Sequence, residues 1–187
     1  LDILSIESCH ILGHSMGGKV AMQIALSHSQ RVNKLIVADI APVEYPAHHI
    51  TIIEGLQAID LTKVQKRTDA DTQLAKYVED VGVRQFLLRN IIINKQGEFN
   101  FRCNLNNIEQ GYQQIMQSNE SQDNQNFLGD TLFIKGGDSD YILPEHQNII
   151  KALFPNAKAK VIQGAGHWLH AEKTIAFNKI VLDFLAK

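Results

Sequence analysis

Residues 9–20 read Cys-His-Ile-Leu-Gly-His-Ser-Met-Gly-Gly-Lys-Val. The apolar start of this stretch predicts a short strand that ends at Gly13, and apolar side chains at helical spacing predict a helix over residues 17–29. Ser15 stands between them in a Gly-x-Ser-x-Gly pattern, on a sharp turn from strand to helix. We expect Gly13 and Gly17 to omit β-carbons that would clash with the neighbouring strand and helix.

Ser15 is the candidate nucleophile. A serine on so sharp a turn has a strained backbone, and its hydroxyl is exposed at the carboxyl edge of the sheet. The amide of Met16, at the start of the helix, points toward an oxyanion that forms on a substrate. Met16 is therefore the predicted oxyanion-hole donor.

Outside the middle of the chain, strands alternate with helices. Further strands are predicted at residues 34–38, 131–134 and 157–162. Pro144 is expected to open one helix, and an apolar stripe from residue 177 to 185 predicts the last one. This alternation predicts the α/β class, with a parallel sheet and helices on its faces.

Residues 42–127 break the alternation and are predicted to be a helical insertion, which leaves residues 1–41 and 128–187 as the core. Its helices are predicted at residues 52–59, 74–78, 83–88 and 105–116, with a small hairpin around Gly97. A linker rich in Ser, Asn, Gln and Asp is predicted at residues 118–126, and the end of an amphipathic helix at residues 1–7.

Composition excludes several classes of protein. The chain has 187 residues, 44% of them hydrophobic and 20% charged, which disfavours disorder and coiled coils. A net charge of −2 without a dense basic run disfavours nucleic acid as a partner, and no apolar run is long enough to span a membrane. Because Cys9 and Cys103 lie far apart in the sequence, we expect neither a disulfide framework nor a zinc site. We expect a cytoplasmic location, where cysteines stay reduced.

His167 is the candidate base. It follows the last predicted strand in a glycine-rich loop, at the same sheet edge as Ser15. A neutral imidazole there can accept the serine proton and return it to the leaving group. His170 is the second choice. The spacing of the two histidines resembles a pair of metal ligands, but without a third ligand we expect no metal.

The acid has two candidates. Asp39 ends the strand at residues 34–38, and Asp140 follows the strand at residues 131–134; Asp138 is a weaker third. Either strand can neighbour the strand of the nucleophile, so either carboxylate can reach the second imidazole nitrogen. Spacing alone leaves this choice open.

Five motifs together resemble the α/β-hydrolase superfamily. They are Gly-His-Ser-Met-Gly-Gly-Lys at 13–19, Asp-Ile-Ala-Pro-Val at 39–43, Gln-Phe-Leu-Leu at 85–88, Gly-Gly-x-Ser-x-Tyr at 136–141, and Gly-Ala-Gly-His-Trp-x-His-Ala-Glu-Lys at 164–173. The closest resemblance is to small bacterial esterases of the YbfF type, which are similar to α/β-hydrolase domain-containing protein 11 of mammals. In these esterases the acid matches Asp39, whereas the wider superfamily more often uses the position of Asp140. We favour Asp39.

The resemblance implies hydrolysis of short acyl esters or acyl thioesters, such as those of coenzyme A, through an acyl-enzyme and without a cofactor. Residues 42–127 would form a lid, and Phe86, Leu87 and Ile91 would line its acyl pocket. The same machinery also serves carbon-carbon bond hydrolases, lyases and peptidases. A noncatalytic ligand-binding protein, or a truncated inactive product, is the alternative of a different class.

The resemblance also implies that strands and loops which precede the fifth strand of the fold are absent from the chain. One of those loops normally supplies the second oxyanion-hole amide, so Met16 would act alone. The strand before Ser15 would also have a bare edge. We therefore expect the 187-residue piece by itself to be poorly stable and weakly active or inactive.

Overall fold

The computed structural model describes residues 1–120 and 126–187, so most of the linker predicted at residues 118–126 lies outside the described residues. The chain divides into two compact units. The core unit comprises residues 1–45 and 117–187, and the insert unit comprises residues 46–116. Phe127, which is only 2% exposed, packs in the buried cluster of the core unit.

The regular elements follow one another as the hydrophobic patterns predict, with a few shifts. The strands are β1 (Cys9–His14), β2 (Val32–Ala38), β3 (Ile91–Ile93), β4 (Phe99–Phe101), β5 (Asp130–Gly136) and β6 (Ala157–Ile162). The helices are α1 (Met16–Ser27), α2 (Ile50–Gln57), α3 (Arg67–Leu74), α4 (Val81–Leu87), α5 (Leu105–Met116), α6 (Gln147–Leu153), α7 (Leu169–Glu172) and α8 (Thr174–Leu185). Pro144 begins a 3-10 turn that leads into α6.

The core unit is built on a four-stranded parallel sheet with the order β1-β2-β5-β6. Successive side chains of β2 point to opposite faces of the sheet. Leu35 shares a buried cluster with Met22 of α1 on one face, and Ile36 shares another with Phe177 of α8 on the other face. The predicted α/β class, with a parallel sheet and helices on both faces, is confirmed.

Parallel strands bring their carboxyl ends to one edge of the sheet. Ser15 follows β1, Asp39 follows β2 and His167 lies in the loop after β6, so the three candidates of the sequence analysis share that edge. Each lies at a strand end because a parallel strand must turn there into the helix that returns over a face of the sheet.

The insert unit contains α2 to α5 and the antiparallel hairpin of β3 and β4, which turns at Gly97 with φ of 84°. The helix predicted at residues 74–78 is wrong in position, because α3 ends at residue 74. The Asp69 carboxylate accepts hydrogen bonds from the amides of Gln65 and Lys66 and so starts the helix earlier. Leu74 and Val78 are buried in the unit core, and this burial accounts for the apolar signal there.

The opening residues differ from the sequence prediction. Residues 1–7 contain a single 3-10 turn, Asp2–Leu4, rather than the end of an amphipathic helix. Ile3 is fully exposed and Leu4 is 71% exposed, so this segment lacks the apolar packing that stabilises a short helix.

Within the described ranges, 1–120 and 126–187, no helix is both long and apolar enough to cross a membrane.

Candidate active site

The turn that carries Ser15 has the strained backbone that the motif predicts. Ser15 has φ of 54° and ψ of −124°, and its amide donates to the carbonyl of Ala38 at 3.0 Å. A β-carbon at Gly13 would lie 2.1 Å from the Gly17 carbonyl oxygen, so strand and helix can meet this closely only at a glycine. The expectation for Gly17 is wrong, because its β-carbon would meet none of the described residues within 4 Å.

The two glycines give a matched test of this geometry. Gly13→Ala is expected to lower the free energy of unfolding by about 3 kcal/mol or more, because the new methyl group meets backbone that cannot move away. Gly17→Ala is expected to raise it by about 0.5–1 kcal/mol, because alanine is the better helix former and its methyl group has room. Urea unfolding measures both; equal effects would contradict this account of the turn.

His167 joins Ser15 to Asp39. Its Nε2 lies 2.9 Å from Ser15 Oγ and its Nδ1 lies 2.8 Å from Asp39 Oδ2. The neighbours assign the tautomer, since Nδ1–H donates a hydrogen bond to the Asp39 carboxylate and Nε2 accepts one from the Ser15 hydroxyl. The candidate nucleophile, base and acid thus lie in one hydrogen-bonded line, as a nucleophile, a base and an acid that orients the base would require.

Asp39 is fully buried and has φ of 51°, yet its carboxylate is well paired. Gly136 N–H donates to Oδ1 at 2.9 Å, and the Ser139 hydroxyl donates to Oδ2, the oxygen that also faces His167. Paired donors of this kind are what a buried carboxylate needs to stay ionised. Asp138 and Asp140 are exposed. The structure thus places Asp39, and not Asp140, against the imidazole.

Three contacts, two with His167 and one with Asp39, escaped the sequence analysis as functional features. His14 Nε2 donates to the His167 carbonyl at 2.7 Å, and burial lowers the pKa of the His14 imidazole. The ring of Tyr141 stacks on the His167 imidazole, with centroids 3.9 Å apart and planes inclined by 19°. Ser139 holds Asp39. The pattern Gly-Gly-x-Ser-x-Tyr at 136–141 carries the last two residues, but nothing in its spacing predicts which strand end they contact.

His170, the second choice for the base, is directed elsewhere. Its ring lies 4.5 Å from the ring of His14, and its buried Nδ1 has no hydrogen-bond partner among the described residues. His167 lies beside Ser15, whereas the His170 ring packs against the His14 ring. In the part of the chain that the structure describes, no group of three or more His, Cys, Asp or Glu residues is arranged to hold a metal ion.

Lys19, in the first turns of α1, fastens two segments to the nucleophile helix. Its Nζ donates to the carbonyl of Val43 at 2.8 Å and to that of Gln117, and it lies 5.2 Å from the centre of the Tyr45 ring. Burial lowers the pKa of Lys19 to about 8. The chain leaves the core unit after residue 45 and returns at residue 117. Lys19 therefore bonds the segment just before the exit and the residue at the return.

The other predicted site residues have distinct surroundings. Met16 is the first residue of α1, so its amide belongs to the first turn, whose N–H groups have no acceptor within the helix. Ile91, predicted to line an acyl pocket, is 1% exposed in the core of the insert unit, and Leu87 packs against that core. Phe86 is 45% exposed. Roles for these residues in substrate binding remain predictions.

Comparison with known proteins assigns the chain to a family. The family described as alpha/beta hydrolase fold matches residues 1–81. The esterase YbfF of Escherichia coli is 35% identical over 99% of this chain and 70% of its own. A solved structure, described as a marine microorganism esterase, has a TM-score of 0.93 and 40% identity over 98% of this chain and 72% of its own. The chain belongs to the α/β-hydrolase family.

Other relatives are longer than the chain. The mouse protein named sn-1-specific diacylglycerol lipase ABHD11 is 39% identical over all of this chain, which spans 62% of that relative. The resemblance to α/β hydrolases, and to the YbfF-type esterases among them, is confirmed. Several relatives are named esterase or lipase, and these names support the assignment of this chain as a hydrolase.

Proposed function

We propose that the protein is a serine hydrolase that cleaves short acyl esters or acyl thioesters through an acyl-enzyme intermediate. The observation that carries this proposal is the hydrogen-bonded line from Ser15 Oγ through His167 to the buried carboxylate of Asp39. The strained turn at Ser15 supports it, because strain held at one serine by the packing of Gly13 is characteristic of a functional position.

Acylation begins at Ser15. Its Oγ attacks the substrate carbonyl carbon while its proton moves to Nε2 of His167, and the Asp39 carboxylate stabilises the imidazolium that forms. The negative charge moves to the carbonyl oxygen, where the Met16 amide at the start of α1 donates to it. The tetrahedral intermediate then collapses: the bond to the alcohol or thiol breaks, and the leaving group takes the proton from Nε2.

Deacylation repeats these roles with water. His167 Nε2 removes a proton from water, whose oxygen attacks the acyl carbon, and the proton then passes to Ser15 Oγ as the carboxylic acid leaves. Every proton moves through one imidazole nitrogen. The proposed chemistry needs no metal or organic cofactor, and this chain supplies the nucleophile, the base, the acid and one oxyanion-hole amide.

The ester class of substrate is supported by the relatives. The mouse relative is named a diacylglycerol lipase and the Escherichia coli relative an esterase, and both names describe cleavage of acyl esters. An alcohol or thiol departs more readily than an amine, because its anion is the weaker base. We therefore assign esters and thioesters, rather than amides or diketones, to this site.

A fluorophosphonate probe tests the proposal, because it phosphonylates only a serine that a neighbouring base has activated. The whole protein is expected to be labelled at Ser15, and labelling is expected to vanish in Ser15→Ala and in His167→Gln. The variant His146→Gln is the matched control, since this histidine caps a turn after β5 and should leave labelling unchanged. Absence of labelling in the native protein would favour a noncatalytic ligand-binding role.

A further inference from the structure

The loop that follows β5 contacts both the proposed acid, Asp39, and the proposed base, His167. We name residues 137–141 the β5 loop; Gly136 is the last residue of β5. The Ser139 hydroxyl donates to Asp39 Oδ2, and the ring of Tyr141 covers one face of the His167 imidazole at 3.9 Å. One short loop therefore touches the acid through a hydrogen bond and the base through a ring face.

Several hydrogen bonds hold this loop in place. The Tyr141 amide donates to Ser139 Oγ at 3.3 Å, and the Asp138 amide donates to the Ala165 carbonyl at 2.9 Å. The Tyr45 hydroxyl accepts from the Ala41 amide at 2.8 Å and donates to the Tyr141 carbonyl. Burial raises the pKa of Tyr45 to about 12, so its hydroxyl keeps this proton. The β5 loop is thus fixed on both sides of Ser139.

The two contacts act on the imidazole with opposite sign. The negative face of an aromatic ring attracts a cation, so the Tyr141 ring stabilises protonated His167 over the neutral form. The Ser139 hydroxyl donates to the same oxygen that faces His167 Nδ1. This bond disperses the negative charge of Asp39 and weakens its attraction for the imidazolium.

We propose that Ser139 and Tyr141 are positioning residues that set how readily His167 takes up a proton, Tyr141 favouring its uptake and Ser139 opposing it. The inference rests on the proposed function, in which His167 is the base. Its geometry is independent of that function, because a hydrogen bond and a stacked ring act on an imidazole whether or not a substrate is turned over.

The other groups that face His167 belong to residues that these two substitutions do not replace. Ser15 Oγ faces Nε2, and the His14 ring lies 4.7 Å from the imidazole with its Nε2 bonded to the His167 carbonyl. The Glu172 carboxylate accepts from the amides on either side of His167, those of Gly166 and Trp168. The His170 ring contacts His14, and the buried Asp39 faces Nδ1.

The test is an NMR titration of the His167 ring, with its signal assigned by comparison with His167→Gln. Tyr141→Leu keeps the site apolar but removes the ring face, and is expected to move the titration midpoint to lower pH by about 0.5 unit. Ser139→Ala removes one hydroxyl, and is expected to move it to higher pH by about 0.5 unit. Tyr141→Phe keeps the ring face and is expected to leave the midpoint unchanged.

Shifts of opposite sign support the proposal. Shifts of the same sign, or none in Ser139→Ala, overturn it, because general loosening of the loop would affect both variants alike. Ser139→Ala alone still gives a decisive result if Tyr141→Leu fails to fold, since it changes a single hydroxyl. The titration needs no turnover, so a native protein that fails to react with the fluorophosphonate probe would refute the proposed function and leave this test intact.

Discussion

Ser15→Ala is expected to lower kcat for ester hydrolysis by about 10⁴- to 10⁶-fold, the largest effect of any single substitution in the chain. The hydroxyl is the atom that forms the covalent bond, and nothing in an alanine side chain can replace it. The loss should fall on kcat with little change in KM, because the substrate-binding surface is otherwise intact. Steady-state kinetics with a p-nitrophenyl ester of a short acid measures both.

Ser29→Ala is the matched control for this variant. Ser29 is exposed in a turn just after α1, so the same chemical change there should leave kcat unaltered. A Ser15→Ala protein that folds, as judged by urea unfolding, and still hydrolyses the ester within about 10-fold of the native rate would contradict the proposed nucleophile.

Asp39→Asn is expected to lower kcat by about 10⁴-fold. Asparagine cannot stabilise the imidazolium by charge, and its amide group, facing His167 Nδ1, would favour the tautomer that leaves no acceptor for the serine proton. The change is nearly isosteric, but Asp39 is fully buried and accepts bonds from Gly136 and Ser139. Unfolding must therefore be measured alongside kinetics, so that lost activity is assigned to folded protein.

Asp140→Asn is the control that decides between the two candidate acids. Asp140 is exposed, so its replacement should change kcat by less than about 2-fold, within the range of an ordinary surface substitution. The reverse result, a large loss in Asp140→Asn with near-native activity in Asp39→Asn, would assign the acid to the β5 loop and contradict the geometry at His167.

The features that local sequence dictates were predictable. The elbow at Ser15 follows from a strand, a glycine-bounded serine and a helix in immediate succession, and the structure has this order. Strand β6 was predicted with the bounds it has, because its pattern and the turns around it are contained in a few residues. His167 could be selected because the loop after a late parallel strand must lie at the same edge as Ser15.

The contacts between distant segments were not predictable. Asp39 and Asp140 both follow strands at the same edge, and the choice depends on side-chain direction and on which donors surround each carboxylate. Gly136 and Ser139 bond Asp39 from about 100 residues further along the chain. The hydrophobic periodicity of the sequence gives no indication of such a pairing. The stacking of Tyr141 on His167 is of the same kind.

Errors in helix position came from a different source. The helix predicted at residues 74–78 rested on apolar side chains that are indeed buried, but the start of α3 is set by the Asp69 cap, which precedes the apolar signal. Residues 1–7 have an apolar pattern, but their side chains are exposed and are not packed against the core. A local cap thus decided the position of α3, whereas at residues 1–7 the absence of packing decided the outcome.

Trapping of the covalent intermediate tests the central claim most directly. The native protein is mixed with p-nitrophenyl trimethylacetate, whose bulky acyl group slows deacylation, quenched in acid, digested and examined by mass spectrometry. We expect one trimethylacetyl group on the peptide that carries Ser15, and none in Ser15→Ala. Release of p-nitrophenol at an undiminished rate by Ser15→Ala, with the acyl group on another residue or on none, would contradict the assignment of Ser15 as the nucleophile.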